Sequence, residues 1–432
     1  MPQNGAGAEL GIKQNMALGL QHFSAVFISN MTPMLILINL LHVPEAKAMP
    51  LMQATMVITG LVTLLQLKRI GIFGSELPLL IGPNSNFIPI LAAVALSYGL
   101  EGVVGATLVA GFVAIFFSIF LKYIRKLFPN IITATVVLAV GLSLITISMD
   151  FIAGGADAAD YGSISNLFLG FLVFMVAFLL QQFGRGFVKK AAILIGIFAG
   201  YIVAIFMHKV NFAPLMQAKL VSLPEFMPVQ PAFHLDAIIA VSIIYIAVCV
   251  KMIGDTSGIT MGVLGREPTT AELRGDISSS GLASVIAGFF GLTPFAIASL
   301  NVGLVIGSKV VSRASMAFCA LFMLLAGLFP KISVLFSSMP PAVLGGALFL
   351  VFSRIIVTGI QLLSREDLNG RNCTIVALAL GLGFSVISVP QALAGLPEMI
   401  QLIFGKSLVN TTFVAAVLLN LLLPKAEKDE TK

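Results

Sequence analysis

The sequence predicts an all-α integral membrane protein of about fourteen spans, arranged as two inverted seven-span repeats with spans three and ten interrupted. Three observations carry this: the composition, the number and length of the apolar runs, and the placement of the basic residues. Of 432 residues, 58% are hydrophobic and only 10% charged, and the mean hydropathy is +1.04. A soluble domain carries roughly 25% charged residues, so this chain cannot present a water-facing surface of ordinary polarity. It is expected to be polytopic, with the bilayer as its main partner.

At about 20 residues per span, the apolar runs are 16–41, 51–67, 77–97, 102–121, 131–149, 167–183, 191–207, 235–252, 277–290, 293–307, 314–329, 342–362, 374–389 and 408–423. Residues 1–15 and 424–432 are polar tails, and no cleavable signal peptide is expected. The first repeat is 16–207, the connector 208–234 and the second repeat 235–423. Gln391 to Phe404 reads as a surface or re-entrant piece. Cys249, Cys319 and Cys373 lack CxxC spacing and are expected as small buried hydrophobes, not disulfide or zinc ligands.

An even number of spans puts both termini on one side. If that side is the cytoplasm, Lys13, Lys68, Arg69, Lys122, Arg125, Lys126, Arg185, Lys189, Lys190, Arg266, Arg274, Lys309, Arg313, Arg365, Arg371, Lys425, Lys428 and Lys432 lie inside. Only Lys47, Lys209, Lys219, Lys331 and Lys406 lie outside, together with the acidic loop of Asp150, Asp157 and Asp160. This is the positive-inside pattern. The net charge of +6 is therefore a topogenic signal and not a nucleic-acid patch.

Seven spans per half is an odd number, so a duplicated half would point the opposite way across the bilayer. Pro83 and Pro294 are separated by the same interval as Pro129 and Pro340. The second pair opens similar stretches, FPNIITATVVLAVGL and MPPAVLGGALFLVF. The spacing makes spans three and ten the paired broken elements.

In span three, Gly82-Pro83-Asn84-Ser85-Asn86-Phe87 reads as a short extended piece followed by a helix start capped by Asn84 or Ser85. Span ten repeats the device at Ser299-Leu300-Asn301. Non-helical backbone at membrane depth is tolerated only where protein buries it or a cavity borders it. Two facing helix starts would form a donor-rich pocket for a planar carbonyl-bearing or anionic molecule. Proline kinks solvated by neighbouring helices are the alternative.

Lys251 and Asp255 in span eight are spaced to share a helix face and pair, and intramembrane charges are usually functional. His22, after Gln21 in span one, suits a proton relay or a fixed hydrogen-bond donor. His42, His208 and His234 sit at span ends, and Arg354 in span twelve has no assignment from sequence. No His/Asp metal cluster, catalytic carboxylate pair or nucleophile–base spacing is present, so neither an enzyme nor a metal site is expected.

These residues resemble the nucleobase–ascorbate transporter family, the xanthine/uracil permeases. Its span-ten signature is an acidic, Gln or Pro residue, then Asn-x-Gly, four variable residues, and Thr before Arg, Lys or Gly. Here it reads Leu300-Asn301-Val302-Gly303, continuing to Ser308-Lys309. The likeness includes Gln21-His22, the stretch 82–87, Ile253-Gly254-Asp255 and GLFPKISVLFSSMPPAVLGGALFLVF. It implies a core domain (spans one to four and eight to eleven), a gate domain (spans five to seven and twelve to fourteen), a homodimer in the cell membrane and elevator-type nucleobase uptake. It further implies symport with a cation, usually the proton, and no cofactor. Substrate would meet Asn84, Ser85, Asn86, Phe87, Lys251, Ser299, Leu300 and Asn301. Gln21, His22, Asp255 and Gly303 would be coupling or structural positions.

The chain departs from that pattern. Lys251 stands where the family usually has Glu, Leu300 where it has Glu or Gln, and Ser280 where an Asp is frequent. Lys251 only donates, and Leu300 does neither. The site is therefore expected to favour acceptor-rich or anionic ligands such as urate or deprotonated xanthine, with proton coupling left to Asp255 or His22. The alternatives are a uracil or pyrimidine permease and a small-anion carrier of the same architecture.

Overall fold

A peptide group facing lipid has no water to bond, so a long apolar run must close its hydrogen bonds within itself as helix. The apolar runs do so in the computed structural model, which describes residues 11–121, 129–155, 158–185, 188–189, 191–210, 216 and 220–424. Most of the two tails, Lys122, Arg125, Lys126, Lys190, Lys219 and Asp157 lie outside the described residues.

The first repeat comprises α1 (Ile12–Leu40), α2 (Glu45–Gln66), β1 (Ile81–Pro83), a 3-10 turn (Ser85–Phe87), α3 (Ile88–Ile119), α4 (Asn130–Ile152), α5 (Ile164–Phe183) and α6 (Ala192–Phe206). The second comprises α7 (Leu235–Gly262), α8 (Thr270–Phe289), β2 (Phe295–Ile297), α9 (Ser299–Ser308), α10 (Arg313–Leu328), the short α11 (Pro330–Ser337), α12 (Pro341–Leu363), α13 (Gly370–Ser388) and α14 (Leu408–Leu422). Eight of the described helices are each long and apolar enough to cross a bilayer. Large apolar side chains such as Phe112, Phe116, Phe171, Phe206 and Leu421 cover the outside, as lipid-facing surfaces require.

The remaining predicted spans are compressed or broken. Spans three and four run together in α3, where Gly99 adopts φ +66° and interrupts the helix, a conformation that glycine tolerates best. Helix α8 carries Asp276, Ser278, Ser279, Ser280 and Ser284, all buried against protein. Residues Glu398–Gly405 meet α14 at 90°, as expected of a piece that does not continue the span. Helix α7 runs unbroken past Lys251 and Asp255 to Gly262, longer than the span read from sequence.

Helices α4 and α12 pack together most extensively. Each has 23 residues, and Pro129 and Pro340 are their N-caps, so this proline pair does mark equivalent positions. The contact is reciprocal. A Cβ on Gly141 would fall 2.7 Å from the Ile356 backbone nitrogen, and one on Gly359 would fall 2.7 Å from that of Leu138. Small residues admit this approach, and the exchange is what two inverted copies produce. The other proline pair is not equivalent. Pro83 ends β1, whereas Pro294 precedes β2.

The helices form two packed groups, one of α1, α2, α3, α7, α8, α9 and α10, the other of α4, α5, α6, α12, α13 and α14. Cys249 and Cys319 are buried as expected; Cys373, on α13, is exposed.

Candidate functional site

The interrupted segments meet. β1 and β2 pair antiparallel, with Ile81 opposite Ile297, Gly82 opposite Ala296 and Pro83 opposite Phe295. Neighbouring side chains satisfy the outer edges of this two-stranded sheet. The Ile81 N–H donates to Thr63 Oγ1 (3.3 Å), the Phe295 N–H to Ser284 Oγ (2.8 Å), and Tyr245 Oη–H to the Phe295 carbonyl (2.6 Å). This is the internal bonding that extended backbone needs among apolar helices.

Two asparagines fix the segments to each other. Asn84 Nδ2 donates to the Ile297 carbonyl (3.0 Å), while its Oδ1 accepts from Asn86 N–H (3.0 Å) and caps the 3-10 turn. Asn301 Oδ1 accepts from Leu80 N–H (3.0 Å). With that oxygen engaged, the Asn301 amide nitrogen faces His22 Nδ1 at 3.1 Å. The amide can only donate, so Nδ1 accepts and Nε2 carries the proton of a neutral ring.

Beside this cross lies a cavity of about 370 Å³ between the two helix groups. On one side it is lined by Ser29 and Asn30 of α1, Pro83 to Asn86, Lys251, and Ala298 to Leu300 with Gly303 and Leu304. On the other side stand Val137, Ile193, Val351, Arg354, Ile355 and Thr358. Lys251 donates to Ser299 Oγ and lies 3.3 Å from Asp255 Oδ2; Ser299 in turn donates to Asp255 (2.9 Å). The predicted pair thus forms, with Ser299 as third member. Across the cavity, the Arg354 guanidinium donates to the Gln181 side-chain oxygen once that amide is turned to face it.

Of the residues singled out from sequence, Asn84, Ser85, Asn86, Lys251, Ser299, Leu300 and Gly303 line the cavity. Asn301, His22 and Asp255 stand behind this lining: Asn301 is tied to Leu80 just before β1, His22 to Asn301, and Asp255 to the lining residue Ser299. Phe87 is fully buried against the Tyr245 ring at 5.0 Å. Gln21 is half-buried on α1 and is not part of the lining. Ser29, Asn30 and Arg354 belong to the wall and were not assigned to it from sequence.

Ser280, read from the sequence as standing at the family's acidic position in span nine, is buried on α8. Asp276, about one turn earlier on α8, is fully buried and accepts from Thr256 Oγ1 and Gln66 Nε2. The span drawn from residue 277 stopped one residue short of it. A buried carboxylate is therefore present in this region, one helix layer away from the cavity.

The xanthine/uracil permease profile, described as "Permease family", matches residues 13–392. The xanthine permease of Bacillus subtilis is 33% identical, over 94% of this chain and 93% of its own. The uric acid permease PucK of the same organism is 31% identical over 94% of both chains. Among solved structures, the transmembrane domain of the cyanobacterial bicarbonate transporter BicA superposes with a TM-score of 0.59 at 18% identity, covering 94% of this chain and 97% of that one. The last likeness shows a shared inverted-repeat fold alone. The chain belongs to the xanthine/uracil permease family, and is a multi-pass membrane permease rather than an enzyme.

Proposed function

We propose that this permease imports an acceptor-rich purine, xanthine or urate, by symport with a cation, the proton. The observation that carries this reading is the cavity between the helix groups. It is large enough for a small planar ligand, and its wall bears Lys251, Arg354 and the open start of α9 but no carboxylate. Such a wall presents cationic donors to ring carbonyls and to a negatively charged ring, while the ring N–H groups of a neutral base such as uracil meet only neutral amide and hydroxyl oxygens and no carboxylate. The names of the relatives point the same way.

A cavity bordered by two separately packed groups suits an elevator movement, with the group bearing β1 and β2 as the moving core. The gate is then the α4–α6 and α12–α14 group. Asp255, bonded to Ser299, and His22, bonded to Asn301, are the groups through which a proton would be felt at the site. Both termini are cytoplasmic in this reading, and the protein is a homodimer of the cell membrane.

Proteoliposomes loaded with the purified protein test it. Labelled xanthine should accumulate against its gradient, urate should compete, uracil should not, and a protonophore should abolish accumulation. Competition by uracil without competition by urate would reverse the substrate assignment. A second reading, a small-anion carrier, is favoured by the excess of cations on the wall and the likeness of fold to BicA. Bicarbonate or sulfate uptake in the same vesicles, with no purine uptake, would select it.

A further inference from the structure

We propose that Arg354 and Asn30, one from each helix group, set the selectivity of the cavity for a purine carrying a negative charge. The inference rests on the reading of this cavity as a purine site.

The two cations on the wall differ in what opposes them. Lys251 is compensated by Asp255 at 3.3 Å, so it supplies a donor to the site without net charge. Arg354 takes part in none of the four ion pairs among the described residues. Its side-chain partner is the neutral amide of Gln181. The uncompensated charge at the cavity therefore belongs to Arg354, on the side opposite Lys251. A guanidinium also offers a planar fork of donors, the shape that pairs with two adjacent acceptors of a flat anion.

Asn30 supplies the second observation. It is 2% exposed, lines the cavity, and its Nδ2 has no hydrogen-bond partner. Buried donors are rarely left unmet, and an acceptor on a ligand would satisfy this one. Its position follows from Gly82 on β1. A Cβ there would lie 2.8 Å from Asn30 Oδ1 and 3.0 Å from Nδ2, so only glycine lets the amide sit against the strand. Asn30 and Arg354 thus stand on opposite walls of one space, each with donor groups, and a urate-like anion has acceptors on opposite edges.

The test compares urate, anionic at neutral pH, with neutral adenine as ligands of the purified protein. Thermal stabilisation gives binding, and vesicle uptake gives transport. Wild type should prefer urate. Arg354→Met should weaken urate roughly ten- to a hundredfold, the range for one charged hydrogen-bonding group, and weaken adenine much less, so that the urate-to-adenine ratio falls. Arg354→Lys should keep part of the preference, because it keeps charge without the fork. Asn30→Asp, which replaces the unmet donor by a carboxylate, should abolish urate binding. If Arg354→Met lowers the melting temperature of the ligand-free protein, the urate-to-adenine ratio is read from Arg354→Lys and Arg354→Gln. An Arg354→Met protein with the wild-type ratio overturns this inference and leaves the purine site standing. A wild type bound by no purine overturns that reading, and this assignment with it.

Discussion

The two interrupted segments are built from the same parts and finished differently. In the first, Asn84 closes the helix start: its side chain takes the Asn86 N–H and its carbonyl takes the Phe87 N–H. In the second, the N-cap is Ala298, which has no side-chain oxygen to offer. The N–H groups of Ser299 and Leu300 have no acceptor inside α9, and both residues line the cavity. Inverted repeats therefore do not give a symmetric site. The first start is a structural joint, and the second is left as the donor-rich pole.

Asparagine replacements in the two segments probe that difference most strongly. Asn301→Ala leaves the Leu80 N–H buried without an acceptor and frees His22. The expected loss is about 2–3 kcal/mol of stability, with transport abolished. Asn84→Ala removes one cap and one bond to the Ile297 carbonyl. That should cost about 1–2 kcal/mol, with substrate affinity only modestly reduced. Chemical denaturation and vesicle uptake on both variants decide it. Equal damage to transport from both would mean that the two starts are equivalent after all.

A gain-of-cap variant makes the converse test. Ala298→Ser provides the oxygen that the second start lacks, and its hydroxyl can accept from Leu300 N–H. Capping is worth about 1 kcal/mol, so the ligand-free protein should melt higher. Purine affinity should fall severalfold, since the cap then holds a donor the ligand would use. A variant that is both more stable and equally avid would show that the α9 start plays no part in binding.

Much of this arrangement is visible in the chain itself, and what is hidden has physical reasons. Gly82-Pro83-Asn84 and Ser299-Leu300-Asn301 declare the broken helices because the first interrupts helical bonding and the second places polar residues, at mid-membrane, where a new helix starts. Lys251 and Asp255 pair because four residues bring side chains to one helix face. Ser299 as their third member is invisible in sequence, because it arrives from 44 residues away. Asn30 looks like any polar residue in α1 until Gly82 packs against it. Arg354 has no local partner; Gln181 belongs to the other repeat. Asp276 was lost to a span boundary drawn from hydropathy, which registers a charge but not its burial against Thr256 and Gln66.

The start of α8 extends the contrast outside the apolar part of the bundle, and its effect should be the smallest. Here the helix is closed by a full capping box: Thr269 Oγ1 accepts from Glu272 N–H and Glu272 accepts from Thr269 N–H. Arg266 adds a two-pronged contact to the same carboxylate. The Arg266 hydrogen bonds, with lesser help from Thr269, hold the Glu272 pKa down to about 2, against 4.5 for a free glutamate. A carboxylate whose folded pKa is depressed stabilises the fold fully above its unfolded value, and that contribution is lost as pH falls through the folded one. The α8 start should therefore contribute fully above pH 4.5 and progressively less down to about pH 2. Arg266→Gln should raise the Glu272 pKa and lower the melting temperature slightly at neutral pH, because Arg266 is partly exposed and its pair is screened. The acid-induced decline attributable to this group should shrink as well, since less stabilisation remains to be lost. Purine affinity should not change. Melting curves across pH for wild type and Arg266→Gln, with urate and without, check all of this. A change in affinity would mean that the closed start of α8 and the open start of α9 are coupled.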